Sequence, residues 1–237
     1  MKYTNRLGLP DSIYNAITGL HSAYDRGLSD ITVTELLGPP QIRRLRAEYD
    51  DELTADIADE GFILLGSAVH KLLETSERKA ETEQRHYVTI NGVKIGGQFD
   101  RYLFDGSGLL QDYKVMSVWE KIFGFKAEKA QQLNVLAYIL NHNSKAVSKL
   151  EVVAIYRDWQ KSKAGDGKYP EAQMEIVPIE LWSDAEQLKF IQERLLAHAN
   201  PSAECTQDER WKGNVRCKSY CPVRDYCLQF AKLKEEK

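Results

Sequence analysis

Apolar residues recur along the first third of the chain at helical spacing. Over residues 11–25 they fall at Ile13, Ala16, Ile17 and Leu20 behind an acidic start, the 3.6-residue period of an amphipathic helix. Residues 34–37 read as one short turn, ended by Gly38-Pro39-Pro40, and residues 42–47 as another. A longer helix is expected over about residues 51–75, with an interruption near Gly61 or Gly66. The period then shortens. Residues 85–90 and 93–104 are β-rich and joined by Asn91-Gly92, the strongest short hairpin signal. Gly106-Ser107-Gly108 turns into a third strand over residues 109–115, and residues 126–141 form a helix with Leu133, Leu136, Ala137 and Leu140 on one stripe. Residues 150–156 and 173–179 read as strands around a polar loop, and residues 184–198 as a helix. The pattern predicts an α/β protein with a central mixed β-sheet flanked by helices. It divides the chain into a body over residues 1–200, with a helical N-terminal region, and a small segment over residues 201–237 held by ligands rather than by a core.

Composition narrows the class. With 43% hydrophobic and 28% charged residues over 237 positions, the chain is not a disordered one. No window offers the ~18 uninterrupted apolar residues of a membrane span. The start, Met1-Lys2-Tyr3-Thr4-Asn5-Arg6, lacks the apolar stretch of a secretory signal, so a cytoplasmic protein with no membrane partner is expected. The net charge of −3, from 32 basic and 35 acidic residues, does not mark a nucleic-acid binder. It does not exclude a nuclease either, because metal-holding carboxylates subtract charge while contact with DNA rests on local patches. All four cysteines lie in the last 33 residues, a cluster that in a reducing compartment points to a metal or iron–sulfur centre before disulfides.

Candidate chemistry centres on Gly97-Gln98-Phe99-Asp100 followed by Gln111-Asp112-Tyr113-Lys114. Strand alternation puts Asp112 and Lys114 on one face and turns Tyr113 away. If the Asp100 strand is the neighbour, two hard carboxylates meet there and suit Mg²⁺ or Mn²⁺, with the Tyr113 carbonyl as a further ligand. Lys114 beside them would orient the attacking water, help deprotonate it, or neutralise charge building at phosphorus. Gly66-Ser67-Ala68 would let a helix approach the sheet closely. On that helix His70 and Glu74 lie one turn apart; His70 would add a nitrogen ligand that suits Mn²⁺, and Glu74 reads as an exposed carboxylate. Gln131, Gln132 and Tyr138 stand on the following helix, within reach of a carboxylate, the lysine or a phosphate.

The order Gly-Ser-Ala-x-His, Gly-Gly-x-x-Asp, Asp-Tyr-Lys and Gln-Gln-Leu before a tyrosine resembles the PD-(D/E)XK nuclease superfamily, in particular RecB-type nucleases such as phage exonucleases and the CRISPR adaptation nuclease. The resemblance runs over about residues 34–138 and the cysteine tail. It implies a restriction-endonuclease-like core in which His70, Asp100 and Asp112 hold the metal, Lys114 is catalytic and Gln132 orders the site. It implies Mg²⁺- or Mn²⁺-dependent hydrolysis of single- or double-stranded DNA, from ends, in recombination, repair or phage DNA processing, beside a recombination or replication partner protein. This chain departs from the pattern in two places. Leu136 stands where relatives carry the helix tyrosine, leaving Tyr138 as its substitute, and the second acid is Asp112 rather than glutamate.

Cys205, Cys217, Cys221 and Cys227, with Pro222 after a ligand and five residues before the last cysteine, resemble the iron–sulfur staple of the same nucleases. Thiolates alone do not choose between [4Fe-4S] and Zn²⁺. Relatives take their first cysteine from far upstream and leave two residues in the middle gap; this chain has no cysteine before Cys205 and leaves three. Trp159, Lys161, Lys163, Lys168 and Tyr169 place cations and aromatics on one loop, a composition suited equally to strand binding and to plain solvation. Arg43, Arg44 and Arg46 form a second basic cluster of the same ambiguity. The alternative to an enzyme is a non-catalytic DNA-binding or assembly subunit that retains the nuclease fold. Strand polarity, endo- against exonuclease action and oligomeric state are not encoded legibly.

Overall fold

The structure, a computed structural model, describes residues 1–22, 25–200, 202 and 204–235. In chain order the elements are β1 (Lys2–Thr4), α1 (Asp11–Ser22), β2 (Ile31–Thr32), α2 (Val33–Leu37), α3 (Pro40–Glu48), β3 (Thr54–Asp56), α4 (Gly61–Ser76), β4 (Glu81–Thr82), β5 (Arg85–Ile90), β6 (Val93–Gln98) and β7 (Arg101–Leu103). Then come β8 (Leu109–Met116), α5 (Val118–Phe123), α6 (Ala127–Asn141), β9 (Lys149–Tyr156), β10 (Met174–Ile179), α7 (Asp184–Ala199), α8 (Gln207–Arg210) and α9 (Leu228–Glu235). The fold is mixed α/β, and no helix among the described residues is long and apolar enough to cross a membrane. Residues 23 and 24 of the expected first helix lie outside the described residues.

The chain forms two compact units: Met1–Asp25, Thr34–Phe62 and Ile191–Lys237 make one, Arg26–Val33 and Ile63–Phe190 the other. The second holds a five-stranded mixed sheet in the order β10-β9-β8-β7-β4 and a three-stranded sheet in the order β2-β6-β5. Only the β8–β9 pair of the larger sheet is parallel. Asn91 and Gly92, at φ 52° and 80°, make the left-handed turn that closes the β5–β6 hairpin. The strand expected over residues 93–104 breaks at Phe99-Asp100, and β7 continues into the other sheet.

Helix α6 packs against β5 and β6 of one sheet and β8 and β9 of the other. Its burial runs unbroken from Leu133 to Leu140, wider than the single stripe expected, because a helix between two sheets has no solvent face. Gly97 allows this approach, since a Cβ there would stand 2.5 Å from Leu136 Cδ2 and 2.9 Å from Val33 Cγ2. Leu136 is thus a core residue against β6.

Three local expectations are corrected. The helix predicted over residues 51–75 begins at Gly61; the residues before it form β3, which pairs in parallel with β1, and a turn capped by Asp56. Long-range pairing with a strand too short to show in the pattern overrides local periodicity there. The close approach expected at Gly66 is absent, because a Cβ there would meet nothing within 4 Å. The cysteine-bearing segment does share a core: Val223, 1% exposed, packs with Leu45 and Leu53, covered by Met1, Ile42, Tyr49, Tyr226 and two of the cysteines.

Candidate active site

The candidate site forms where the β7–β8 ladder stops. The last pair is Arg101 with Gln111, so beyond it the edge of β8 facing β7 has no strand partner. In β8 the backbone groups of alternate residues point to opposite neighbours. Tyr113 therefore offers both its backbone groups to the open edge, and both are taken. Its N–H donates to Asp100 Oδ2 at 2.7 Å, and its carbonyl lies 3.0 Å from His70 Nε2. Asp100, at the crossover between the two sheets, and His70, on α4, are thereby fastened to one residue.

Two further carboxylates complete the group. His70 Nδ1 lies 3.6 Å from Asp100 Oδ1 and 3.7 Å from Glu83 Oε1. His70, Glu83 and Asp100 each present a ligand atom within 4.8 Å of the others. Asp112, 2% exposed, accepts from Lys114 Nζ at 2.7 Å and from Gln132 Nε2 at 3.3 Å, both at Oδ1. Its Oδ2 is buried without a hydrogen-bond partner. A buried carboxylate oxygen left unpaired costs free energy on the order of 1–3 kcal/mol, more when charged, unless a cation meets it.

The electrostatics agree. Burial first, then Asp112, push Asp100 up to about 7, against the opposing pull of Lys114 and His70. Glu83 raises the pKa of His70 and Asp100 adds to it, with burial opposing. Burial pulls Lys114 down, but Asp112 and Asp100 outweigh it and the net shift is upward, so the side chain stays an ammonium. Burial works against Glu83, yet His70 and Gln98 hold it below the usual carboxylate value. Oxygen donors with one imidazole suit Mg²⁺ or Mn²⁺. With Nε2–H donating to the Tyr113 carbonyl, His70 turns Nδ1 toward the Asp100 and Glu83 carboxylates.

Of the residues singled out in the sequence, His70, Asp100, Asp112, Tyr113, Lys114 and Gln132 come together. Tyr138 does not. Six residues past Gln132, it projects about 120° around the helix from it, is buried, and stacks on His142 at 4.0 Å. Glu74 pairs with Lys71 on the exposed face of α4. Glu83 was not foreseen. It precedes β5 in the left-handed region, at φ 53°, and Gln98 Nε2 donates to it at 2.6 Å while Arg85 steadies Gln98. No local motif announces that placement. Helix α4 is tied to the sheet by Arg101, which joins Glu77 at 2.6 Å and Gln111 at 2.6 Å.

All four cysteines, in reduced form, line one small cavity together with Gln41, Leu45, Val223 and Phe230. Gln41 and Gln229 both accept from the Cys205 backbone N–H, and burial, then Glu209 and the other cysteines, push the Cys205 thiol up to about 12. No three of these sulfurs offer ligand atoms within 4.8 Å of one another. Around a single zinc at about 2.3 Å, tetrahedral sulfurs stand about 3.8 Å apart, a tighter arrangement than this one.

Neither a protein-family model nor a curated protein matches the sequence. Among solved structures, the chain is similar to the protein SSO0001, with a TM-score of 0.63 and 18% identity over 92% of this chain and 95% of that one. It is less similar to an alkaline exonuclease from Laribacter hongkongensis, with a TM-score of 0.41 and 14% identity over 80% and 91% of the two chains. A phage-related exonuclease from Haemophilus somnus 129PT has a TM-score of 0.33 and 15% identity over 79% and 78%. At these identities the likeness to SSO0001 speaks for the fold, and the two lower scores add nothing to it.

Proposed function

We propose that the protein is a divalent-metal-dependent nuclease that hydrolyses DNA phosphodiesters, as an exonuclease acting on ends. One observation carries the reading: an imidazole, three carboxylates and an ammonium from four separate stretches of chain converge at the end of one ladder, with Asp112 Oδ2 buried and unpaired among them. His70, Asp100 and Asp112 would hold Mg²⁺ or Mn²⁺, with Glu83 and the Tyr113 carbonyl as further donors. When bound, the cation supplies Lewis-acid activation of the phosphate and of water.

The chain's own residues do the rest. Lys114, kept protonated by Asp112 and Asp100, donates to the attacking water or to a phosphate oxygen and offsets the charge that develops in the transition state. It serves as a cation rather than a base. Gln132 fixes the Asp112 carboxylate so that Oδ1 faces Lys114 and Oδ2 stays available. The Tyr113 backbone sets the distance between His70 and Asp100.

The test is hydrolysis of linear single- and double-stranded DNA with Mn²⁺ or Mg²⁺. Wild type is expected to cut and Lys114→Ala to lose at least about a hundredfold in rate. Equal rates remove the mechanism. DNA binding by a wild-type protein that never cuts favours a non-catalytic DNA-binding subunit.

Four thiols on one cavity also suit an iron–sulfur donor set, as the resemblance of the cysteine tail implies. We take a [4Fe-4S] cluster as the structural staple of residues 201–237, added to the core that Val223 shares with Leu45 and Leu53. Iron, sulfide and zinc analysis of anaerobically purified protein decides it; zinc without sulfide overturns the assignment.

A further inference from the structure

The sequence gathers aromatics and lysines on the loop between β9 and β10, and the structure divides their labour. Trp159 is spent on the loop itself: its Nε1 donates to the Pro170 carbonyl at 3.0 Å, while the Tyr169 hydroxyl accepts from the Gln160 N–H at 2.7 Å. Lys161, Lys163 and Lys168 remain exposed, and none of the three is held in an ion pair among the described residues.

The exposed aromatics come instead from α5. Trp119 is 56% exposed and Phe123 81%, and their rings stack one helical turn apart, 5.5 Å between centroids at an interplanar angle of 17°. Loose attachment does not explain this. Asp158 accepts from Ser117 Oγ at 2.6 Å and from the Val118 N–H at 2.8 Å, Lys121 pairs with Glu175 at 2.9 Å, and Glu120 pairs with Lys129. The helix is fixed by its polar residues while its two largest apolar side chains face water, an arrangement that costs hydrophobic free energy unless something covers them.

Two placements identify what covers them. Asp158 accepts from the first turn of α5 and stands three residues before Lys161, which joins the start of the aromatic helix to the start of the lysine loop. Trp119 also follows Lys114 by only five residues, which at about 3.3 Å per strand residue keeps its backbone within about 17 Å of that of Lys114. Flat ring faces beside free cations match an unpaired nucleic-acid strand, whose bases stack and whose phosphates need neutralising; a duplex keeps its base faces hidden.

We propose that Trp119 and Phe123, with Lys161, Lys163 and Lys168, form a landing surface for an unpaired DNA strand that leads toward Asp112 and Lys114. The proposal rests on the nuclease reading for its direction, and its own test is independent of cutting. Full-length protein in EDTA is titrated against labelled oligo-dT and against a blunt duplex. Trp119→Ala/Phe123→Ala is expected to weaken oligo-dT binding by about tenfold or more and duplex binding little. Lys161→Gln/Lys163→Gln/Lys168→Gln is expected to reduce the salt slope by about 2, at about 0.7 per lost phosphate contact. An unfolding midpoint like that of wild type certifies the fold of each variant. Unchanged oligo-dT affinity, or equal losses for strand and duplex, overturns the surface even where DNA is cut normally. A tenfold selective loss in a wild type that never cuts upholds the surface and removes the nuclease reading alone.

Discussion

Replacing Asp100 by asparagine should stabilise the metal-free protein and at the same time abolish its response to divalent ions. Burial and the nearby Asp112 lift the Asp100 carboxyl from its ordinary 3.8 to about 7. Each pH unit between those values is worth about 1.4 kcal/mol, so the ionised carboxylate burdens the fold by about 4 kcal/mol at pH 8. The sign follows from the raised value. The group's favourable contribution is complete below about 3.8 and is lost as pH rises through about 7. Asparagine keeps an oxygen for the Tyr113 N–H and carries no charge. In EDTA at pH 8 the variant should be more stable by about 2–4 kcal/mol, a midpoint rise of roughly 5–12 °C for a chain of this size. Wild type should lose stability between pH 5 and pH 8, and the variant should lose much less. With Mn²⁺ at a hundred times its dissociation constant the order reverses in kind: wild type gains about 2.7 kcal/mol and the variant nothing comparable. Thermal unfolding in EDTA and in Mn²⁺ measures both. A variant that is no more stable than wild type in EDTA refutes the placement of Asp100 among buried like charges, and one that keeps the full Mn²⁺ shift refutes its proposed role as a metal ligand.

Arg101→Ala strands Glu77 and Gln111 and should cost about 2–3 kcal/mol at pH 7 in urea unfolding. Arg101 first, then backbone N–H groups, hold Glu77 down to about 2, so its contribution is complete above 4.5 and fades as pH falls toward 2; the gap between variant and wild type should narrow in acid, and a constant gap refutes the assignment. Gly108→Ala should destabilise far more than Gly106→Ala in the same assay: both have positive φ, but a Cβ at Gly108 would meet the Ala146 carbonyl oxygen at 1.8 Å, while Gly106 has open space. Tyr138→Phe should leave DNA hydrolysis within about twofold, because the ring stacks on His142 away from Asp112; a tenfold loss would return Tyr138 to the site.

What was legible in the sequence was what depends on near neighbours. The Asn91-Gly92 turn expresses local backbone physics and the structure has it; β8 and α6 also form where expected, though α6 is buried all round from Leu133 to Leu140 rather than along one stripe. The strand period puts Asp112 and Lys114 on one face, where they pair, while Gln132, named through the family resemblance, donates to the same carboxylate. The misses are long-range. β1 and β3 are three residues each, too short to carry a period, and exist only through each other. Glu83 reaches the site through a left-handed backbone that glutamate seldom adopts, so nothing in Glu81-Thr82-Glu83-Gln84 advertises it. The order of residue types ignores phase: six positions from Gln132 to Tyr138 are not a whole number of turns, and the ring of Tyr138 lies on His142.

The spacing Asp-x-Lys can be understood from the hydrogen bonds of β8 rather than from the side chains alone. Asp112 and Lys114 stand opposite Val152 and Ala154 of β9, so the strand that carries them is held on that side. The residue between them faces the side where β7 has ended, and its N–H and C=O are spent on Asp100 and His70. One strand therefore presents an acid and a cation on its face and two polar backbone groups at its edge, all within three residues. The edge becomes available only because β7 is three residues long and the chain crosses between sheets at Phe99-Asp100. A longer β7 would pair the Tyr113 backbone into the ladder and leave Asp100 and His70 nothing to close on. The short strand, unremarkable as packing, is what leaves this edge of β8 to Asp100 and His70.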